Sequence, residues 1–117
     1  MLLQITGVGR VGNEPEMRYT PAGHAVTNFS VACKVGYGEY EQNIWVRISC
    51  FGSQAEAMKK YLGKGDIIAF VGIPNFEDGS PRAYLNKEGD PKASFDVKAT
   101  EIKFVQTKGR QQEDVEF

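Results

Sequence analysis

Hydrophobic and polar residues alternate along much of the chain, a pattern that indicates half-buried β-strands. Apolar residues recur at every second position within residues 29–35 and 44–51, so each segment predicts a strand with one buried side. Residues 66–72 form a short, nearly continuous apolar run, which predicts a strand covered on both sides. Residues 82–85 and 94–99 flank a turn-forming stretch and predict a hairpin.

The alternation changes phase after Ala99, where Ile102 and Phe104 take up the apolar positions. A change of phase within one strand predicts a β-bulge or a bend. Such a bend suits a strand that curves around a barrel.

One segment, between the second alternating strand and the apolar run, has helical periodicity instead. Ser53 and Glu56 have the spacing of a capping box, with Ser53 as the N-cap residue. Gly63 provides a C-terminal stop, so the sequence predicts one helix of about ten residues. The apolar face of this helix consists of Ala55, Met58 and Leu62.

The length of 117 residues favours one domain. Three strands, one short helix and two more strands is the order of a five-stranded Greek-key barrel of the OB type. The sequence therefore predicts an all-β OB-fold barrel over residues 1–105, with the helix between strands 3 and 4. Residues 106–117 lack periodicity and predict a flexible, acidic C-terminal tail.

The charge balance narrows the classes of partner. Fourteen Lys and Arg residues against fifteen Asp and Glu give a net charge of −1, which argues against a polybasic nucleic-acid binder and gives no bulk attraction to a membrane surface. The acidic excess lies in residues 106–117, so the barrel itself is neutral. The start of the chain lacks the basic region of a signal peptide, and no run approaches the roughly 18 apolar residues of a membrane span. We therefore expect a cytoplasmic protein.

No pattern of catalytic, metal-binding or cofactor-binding residues is found in the sequence. Residues 7–12 match the Gly-x-Gly-x-x-Gly fingerprint, but no helical period follows, so these glycines are interpreted as bending the first strand. Cys33 and Cys50 lie in apolar alternating runs, as buried thiols do, and with the one histidine, His24, they cannot complete a zinc site. We expect neither an enzyme nor a bound cofactor.

Large aromatic and basic side chains share the polar side of the second alternating strand. Trp45, Arg47 and Phe51 all fall opposite its apolar row. Soluble proteins seldom expose Trp and Phe together on one face without using them. Neighbouring segments repeat the combination of ring and cation with Lys34, Arg82 and Tyr84.

Rings interleaved with cations are suited to single-stranded nucleic acid. Every base has a π-face on which a ring can stack, and the cations hold phosphates, so binding needs no readout of base edges. The alternative is that Trp45 and Phe51 pack against another subunit or a loop of this chain.

The chain resembles the bacterial-type single-stranded DNA-binding proteins. The resemblance runs from about Gly7 to Val105 and rests on ordered segments that are specific together. These segments are residues 12–19, 21–23, 28–32, 45–48, 51–52, 55–56, 61–66 and 71–72.

The resemblance implies an OB-fold subunit of a homotetramer that wraps single-stranded DNA during replication, recombination and repair, in a bacterial nucleoid. The residues it places in stacking roles are Tyr37, Trp45, Phe51 and Tyr84. With Lys34 and Arg82 from the strand pattern, the expected phosphate contacts are Arg10, Arg18, Lys34, Arg47, Lys64 and Arg82. The chain departs from the family pattern at Tyr37 and Tyr84, where Trp is common, and at Ser53, where Lys is frequent. Residues 73–80 also form a longer link than usual, to which the sequence assigns no function.

The last residues resemble the family's partner-docking tip. In such proteins an acidic tip with a final Phe docks on replication and repair enzymes, and a phenyl ring beside a carboxylate suits an apolar pocket edged by Arg or Lys. The corresponding residues are Glu113, Asp114, Val115, Glu116 and Phe117. The alternative for this segment is a solvated end without function. For the whole chain, the alternative is an OB-fold protein-interaction subunit of a primosome-type assembly with minor DNA contact.

Overall fold

The computed structural model describes residues 2–76 and 78–107. Within them lie eight strands, one α-helix and a single turn of 3₁₀ helix at Gly38–Tyr40. The strands are β1 (Ile5–Val11), β2 (Glu16–Tyr19), β3 (Ala25–Val35), β4 (Gln42–Phe51), β5 (Ile67–Pro74), β6 (Arg82–Leu85), β7 (Pro91–Ser94) and β8 (Asp96–Gln106). The helix, α1, spans Ser53–Tyr61 between β4 and β5.

Five of the strands close into a barrel. They follow one another in the order β1, β5, β8, β4 and β3, and β3 pairs with β1 to complete the ring. Only the β4–β8 pairing is parallel; the other barrel pairings are antiparallel. The short strand β2 extends the sheet beside β3, while β6 and β7 form a separate hairpin. This is the predicted OB fold, with its helix between the third and fourth barrel strands.

The core consists of the inward side chains of the barrel strands, in which buried and exposed residues alternate. Its largest fully buried members are Phe29, Phe70, Ile48, Ile68, Val11, Val31 and Val97. The predicted apolar face of α1 is confirmed, since Ala55, Met58 and Leu62 are all buried in this core. Buried Thr27 ties the helix to β3 because its hydroxyl donates to the carbonyl of Ala55 over 2.7 Å.

The helix begins differently from the prediction. Gly52 is the N-cap residue, with a φ of 66°, and Ser53 is already the first helical residue, so the predicted Ser53–Glu56 capping box is wrong. Gly52 donates its N–H to the carbonyl of Ala25 over 3.0 Å and so remains tied to the end of β3. The reversal from strand to helix then falls on a left-handed backbone conformation, which glycine adopts without a steric cost.

The later hairpin also differs from the prediction. Its return arm is β7, paired from Arg82 with Ser94 to Leu85 with Pro91, and not residues 94–99. The chain changes partner at Phe95, whose carbonyl accepts the N–H of Arg47 over 2.9 Å, and β8 then joins the barrel. Uniform alternation across residues 91–99 conceals this change, because both strands have a period of two.

The predicted bulge after Ala99 is confirmed. Ala99 pairs with Gly72 and Glu101 with Val71, which leaves Thr100 as the extra residue. Its hydroxyl donates to the carbonyl of Val71 over 3.0 Å. The bulge bends β8 where it curves around the barrel.

The glycines at residues 7–12 lie in and just after a strand, as expected, with no helix after them. A Cβ on Gly9 would lie 2.5 Å from the carbonyl oxygen of Ala32, so a glycine is needed where β1 and β3 close the barrel. Across residues 2–76 and 78–107, no helix combines the length and apolar character required to cross a membrane.

Candidate nucleic-acid interface

The outward side chains of β3 and β4 form one continuous surface. The register pairs Trp45 with Ala32, Arg47 with Ser30, Ser49 with Asn28 and Phe51 with Val26. Paired residues point to the same side of a sheet, so these eight side chains share one surface. The larger ones come from β4 and the smaller ones from β3. We call this surface, together with the outward residues of β2, with Lys98 of β8 and with Arg10 at the end of β1, the aromatic face.

Trp45 is the most prominent ring of this face, with 56% of its surface exposed. A Cβ on Gly12 would lie 2.5 Å from Cζ3 of Trp45, so the indole lies directly against the backbone of Gly12. The pairing of Arg10 with Ala32 places Arg10 in the same row across the sheet. The absence of a side chain at Gly12 therefore determines where the indole rests.

A groove on one side of Trp45 carries two of the predicted cations. Arg10 and Lys64 both line it, together with Glu14. The Arg10 guanidinium donates from Nη1 to the carbonyl of Gly65 over 2.8 Å, which fixes the side chain beside the indole. The Lys64 backbone N–H donates to Oε1 of Glu14 over 3.2 Å, so the Lys64 loop is held at the groove edge.

A second groove lies on the opposite side of Trp45. The β6–β7 hairpin folds over the sheet here, so that Arg82 and Tyr84 line this groove with Trp45 and Arg47. The Cζ atom of Arg82 lies 5.7 Å from the centroid of the Tyr84 ring, and its Nε lies 3.9 Å from Oδ2 of Asp96. The structure thus brings together two predicted rings and two predicted cations from distant parts of the chain.

Phe51 lies at the far end of the aromatic face from Trp45. Lys98 of β8 places its Nζ 4.8 Å from the centroid of the Phe51 ring, within the range of a cation–π contact. Arg18 pairs with Val26 and so shares the row of Phe51, and its Nη2 lies 3.9 Å from Oε2 of Glu16. This end repeats the combination of ring and cation found at Trp45.

Sequence reasoning missed Lys98. Its signal was an outward position on an alternating strand, with Val97 and Ala99 buried on either side. The sequence could not show which face Lys98 lies on, because the parallel register that pairs it with Ser49 is set by the closure of the barrel.

Two further predicted site residues lie apart both from the grooves beside Trp45 and from the Phe51 end of the face. Tyr37 is 90% exposed in the loop between β3 and β4. Lys34 is outward on β3, opposite Asn43, and its Nζ lies 3.9 Å from Oε1 of Glu41. The proposed docking tip at residues 113–117 lies outside the described residues.

The cysteines take no part in this face. Cys50 is fully buried, and burial raises its pKa to about 11. Cys33 is half-buried, and desolvation raises its pKa too. Both thiols therefore stay protonated near neutral pH, as expected of core residues.

Comparisons with known proteins agree with the architecture. The model of the single-strand binding protein family matches residues 2–105. A single-stranded DNA-binding protein of Neisseria meningitidis serogroup A is 33% identical over 103 residues, covering 84% of this chain and 56% of the relative. One from Halalkalibacterium halodurans is 33% identical over 115 residues, covering 95% of this chain and 65% of that protein. The chain thus spans less than two thirds of the length of these curated relatives.

Proposed function

The chain belongs to the single-strand binding protein family, and from this premise we propose that it binds single-stranded DNA by aromatic stacking and phosphate contacts. The affinity depends little on base sequence in this proposal, because rings stack on the π-face that all bases share. The family's description is that of a binding protein and not of an enzyme.

The observation that carries the proposal is the environment of Trp45. Its indole is exposed on the aromatic face, with Arg10 and Lys64 in the groove on one side and Arg82 and Tyr84 in the groove on the other. Bases stacked on the two rings would leave their phosphates near these cations. Stacking contributes about 1–3 kcal/mol per base, so two rings account for a substantial part of a micromolar affinity.

The aromatic face also offers a path along β4. Successive outward residues of a strand lie about 7 Å apart, so Trp45 and Phe51 are roughly 20 Å apart along β4, with Arg47 between them. Lys98 and Arg18 accompany the ring at the Phe51 end. A strand laid along this path meets a ring and cations at both ends.

The balance of charge makes a further contribution to the proposal. Since the net charge is −1, long-range attraction of DNA is weak, and affinity depends on local cations and rings. Binding should therefore weaken with salt less steeply than binding by a polybasic protein.

Titration of the intrinsic fluorescence with poly-dT tests the proposal. Trp45 is the only tryptophan of the chain, so stacking of a base on its indole should quench the emission. Duplex DNA at equal nucleotide concentration is the control and should quench much less. Unchanged emission at micromolar poly-dT and low salt would contradict single-stranded DNA binding.

The finer parts of the proposal concern assembly and cellular role. We propose a homotetramer that protects single-stranded DNA during replication, recombination and repair in the bacterial cytoplasm, at the nucleoid. Sedimentation of the protein with and without poly-dT tests this assembly. A dimer with weak DNA affinity would instead favour the protein-interaction subunit of a primosome-type assembly.

Partner recruitment by the acidic segment Glu113 to Phe117 is the last part of the proposal. Its support is chemical: carboxylates next to a phenyl ring are recognised by apolar pockets with basic rims. Deletion of Val115 to Phe117 should abolish capture of replication and repair proteins and preserve poly-dT binding. Retained capture after this deletion would refute docking through the segment.

A further inference from the structure

A third groove lies against the aromatic face, between the sheet and the segment that follows β5. Its sheet side is formed by Asn28, Arg47 and Ser49, and its other side includes Asn75, Phe76 and Asp78. We call it the lateral groove. Asn75, Phe76, Asp78 and Ser80 belong to the long link to which the sequence assigned no function, and they supply one wall of this groove. Arg47 belongs both to this groove and to the DNA-binding surface proposed above.

The wall formed by this link is held in place by several contacts. The N–H of Asn75 donates to the carbonyl of Asp96 over 2.9 Å, which ties the segment to β8. The ring of Phe76 packs edge-on against Phe95, with centroids 6.4 Å apart and planes at 75°. The N–H of Ser80 donates to Oδ1 of Asp78 over 3.1 Å and orders the next turn. The groove is therefore largely formed before a ligand arrives.

Hydrogen-bond donors with spare capacity face this groove from both walls. The Ser49 hydroxyl donates to Oδ1 of Asn28 over 2.5 Å, an assignment that leaves the Asn28 amino group available. Within the described part of the chain, the Arg47 guanidinium makes no hydrogen bond or ion pair. The side-chain amide of Asn75 makes none either. These groups can pair with the acceptors of a ligand.

Carboxylates in the same groove argue against a phosphate as that ligand. Asp96 accepts from the Ser94 hydroxyl and faces Arg82. Among residues 2–76 and 78–107, the carboxylate of Asp78 accepts only from Ser80, which leaves lone pairs for a ligand. These two charges offset the guanidiniums of Arg47 and Arg82, which line the same groove, so the groove offers no net attraction to a phosphate. A group with N–H donors beside acceptor atoms would satisfy both the carboxylate and the guanidinium.

We propose that the lateral groove binds the edge of a single guanine base and so adds a guanine preference to otherwise sequence-tolerant binding. Guanine presents O6 and N7 to a guanidinium, the pairing most often used to read this base. In a single strand its N1–H and N2 amino group are also free, and a carboxylate accepts both. Arg47 is then the donor to O6 and N7, Asp78 is the acceptor from N1–H and N2, and Phe76 and Asn75 complete the wall.

This inference rests on the proposed function, because the guanine reaches the groove as part of a bound strand. The test compares the affinity of the full chain for a dT oligonucleotide of twelve residues with that for the same strand carrying one central dG. We expect the dG strand to bind about tenfold more tightly, the discrimination of one good bidentate contact. Equal affinities, or tighter binding of a strand with one dC instead, would overturn the proposal.

Modified bases test which edge is read. Replacing the dG by 7-deazaguanine removes the N7 acceptor, and replacing it by inosine removes the N2 amino group. Each replacement should lose a large part of the tenfold preference. Full retention of the preference with both analogues would contradict the assigned contacts.

Variants of the link test which wall residues read the base. Asp78→Asn and Asn75→Ala should each reduce the preference for dG severalfold and leave the affinity for plain dT unchanged. The matched control is Glu88→Gln, which removes the same charge as Asp78→Asn from an exposed position in the β6–β7 turn outside the lateral groove. A dG preference that survives both groove substitutions would overturn the inference. Loss of all poly-dT binding by the unmodified chain would instead refute the proposed function itself.

Discussion

The barrel has two outward faces that share one core and differ in the side chains they present. The aromatic face on β3 and β4 carries Trp45 and Phe51 with cations around them. The opposite face lies on β1, β5 and β8. Each row across these strands combines two small or aliphatic side chains with one charged side chain, as in Thr6–Val71–Glu101 and Val8–Ala69–Lys103.

Two cations of the aromatic face, Arg47 and Lys98, differ in their surroundings from Lys103 on the opposite face. Lys103 lies 3.5 Å from Oε1 of Glu101, so its charge is largely balanced. Arg47 has no such ion pair within residues 2–76 and 78–107, and Lys98 lies over a ring. The alternation needed for a barrel leaves every second residue free to differ, and function depends on those outward residues.

Removing the indole from the aromatic face should cause the largest loss of DNA affinity. Trp45→Ala should weaken binding of a fluorescein-labelled dT strand by about 1–3 kcal/mol, the contribution of one stacked base. Anisotropy titration measures this loss, and thermal unfolding checks that the fold survives. The control is Val8→Ala, which shortens a 57% exposed side chain on the other face. Equal losses for the two variants would mean that the faces do not differ in DNA binding.

A smaller effect should follow from displacing the indole without removing it. Gly12→Ala places a methyl group 2.5 Å from the present position of Cζ3 of Trp45, so the exposed ring must swing away. We expect a loss of roughly fivefold in dT affinity, a fraction of the stacking energy, and a shift in the Trp45 emission of the free protein. Unchanged emission and affinity together would show that Gly12 does not position the ring.

The smallest effect should come from single cations. Lys98→Gln should reduce the slope of log affinity against log salt by about 0.7, the value for one phosphate contact with a single strand. Lys103→Gln is the matched control, because it removes the same charge from the same strand on the opposite face. The two faces would be electrostatically equivalent if both substitutions changed the slope alike.

The fold could be predicted from the sequence because its signals are local. Alternation identified β3 and β4, a continuous apolar run identified β5, helical spacing identified α1, and a change of phase located the bulge at Thr100. The errors arose where tertiary contacts compete with local patterns. Gly52 replaced Ser53 as the N-cap because the chain had to reverse after β4, and Phe95 separated β7 from β8 because β8 pairs with β4.

The candidate site could be predicted only in part. Trp45, Arg47 and Phe51 were found because they share one strand, and Arg82 with Tyr84 because they share another. That Trp45 and Arg47 meet Arg82 and Tyr84 in one groove depends on how the hairpin folds over the sheet. The position of Lys98 over Phe51 and the lateral groove both depend on β8 and on the link after β5, which alternation cannot orient.

The placement of β4 inside the sheet has a kinetic consequence. Its central residues, 47–49, are flanked by β3 on one side and β8 on the other, so the strand that carries the rings cannot rearrange without breaking two ladders. Such a strand opens only with the whole domain, and its amides should be among the slowest to exchange with solvent. Capture of DNA by the rings then needs no slow step in the protein. Association should proceed at a rate proportional to DNA concentration, and differences in affinity among sequences should appear mainly as differences in residence time.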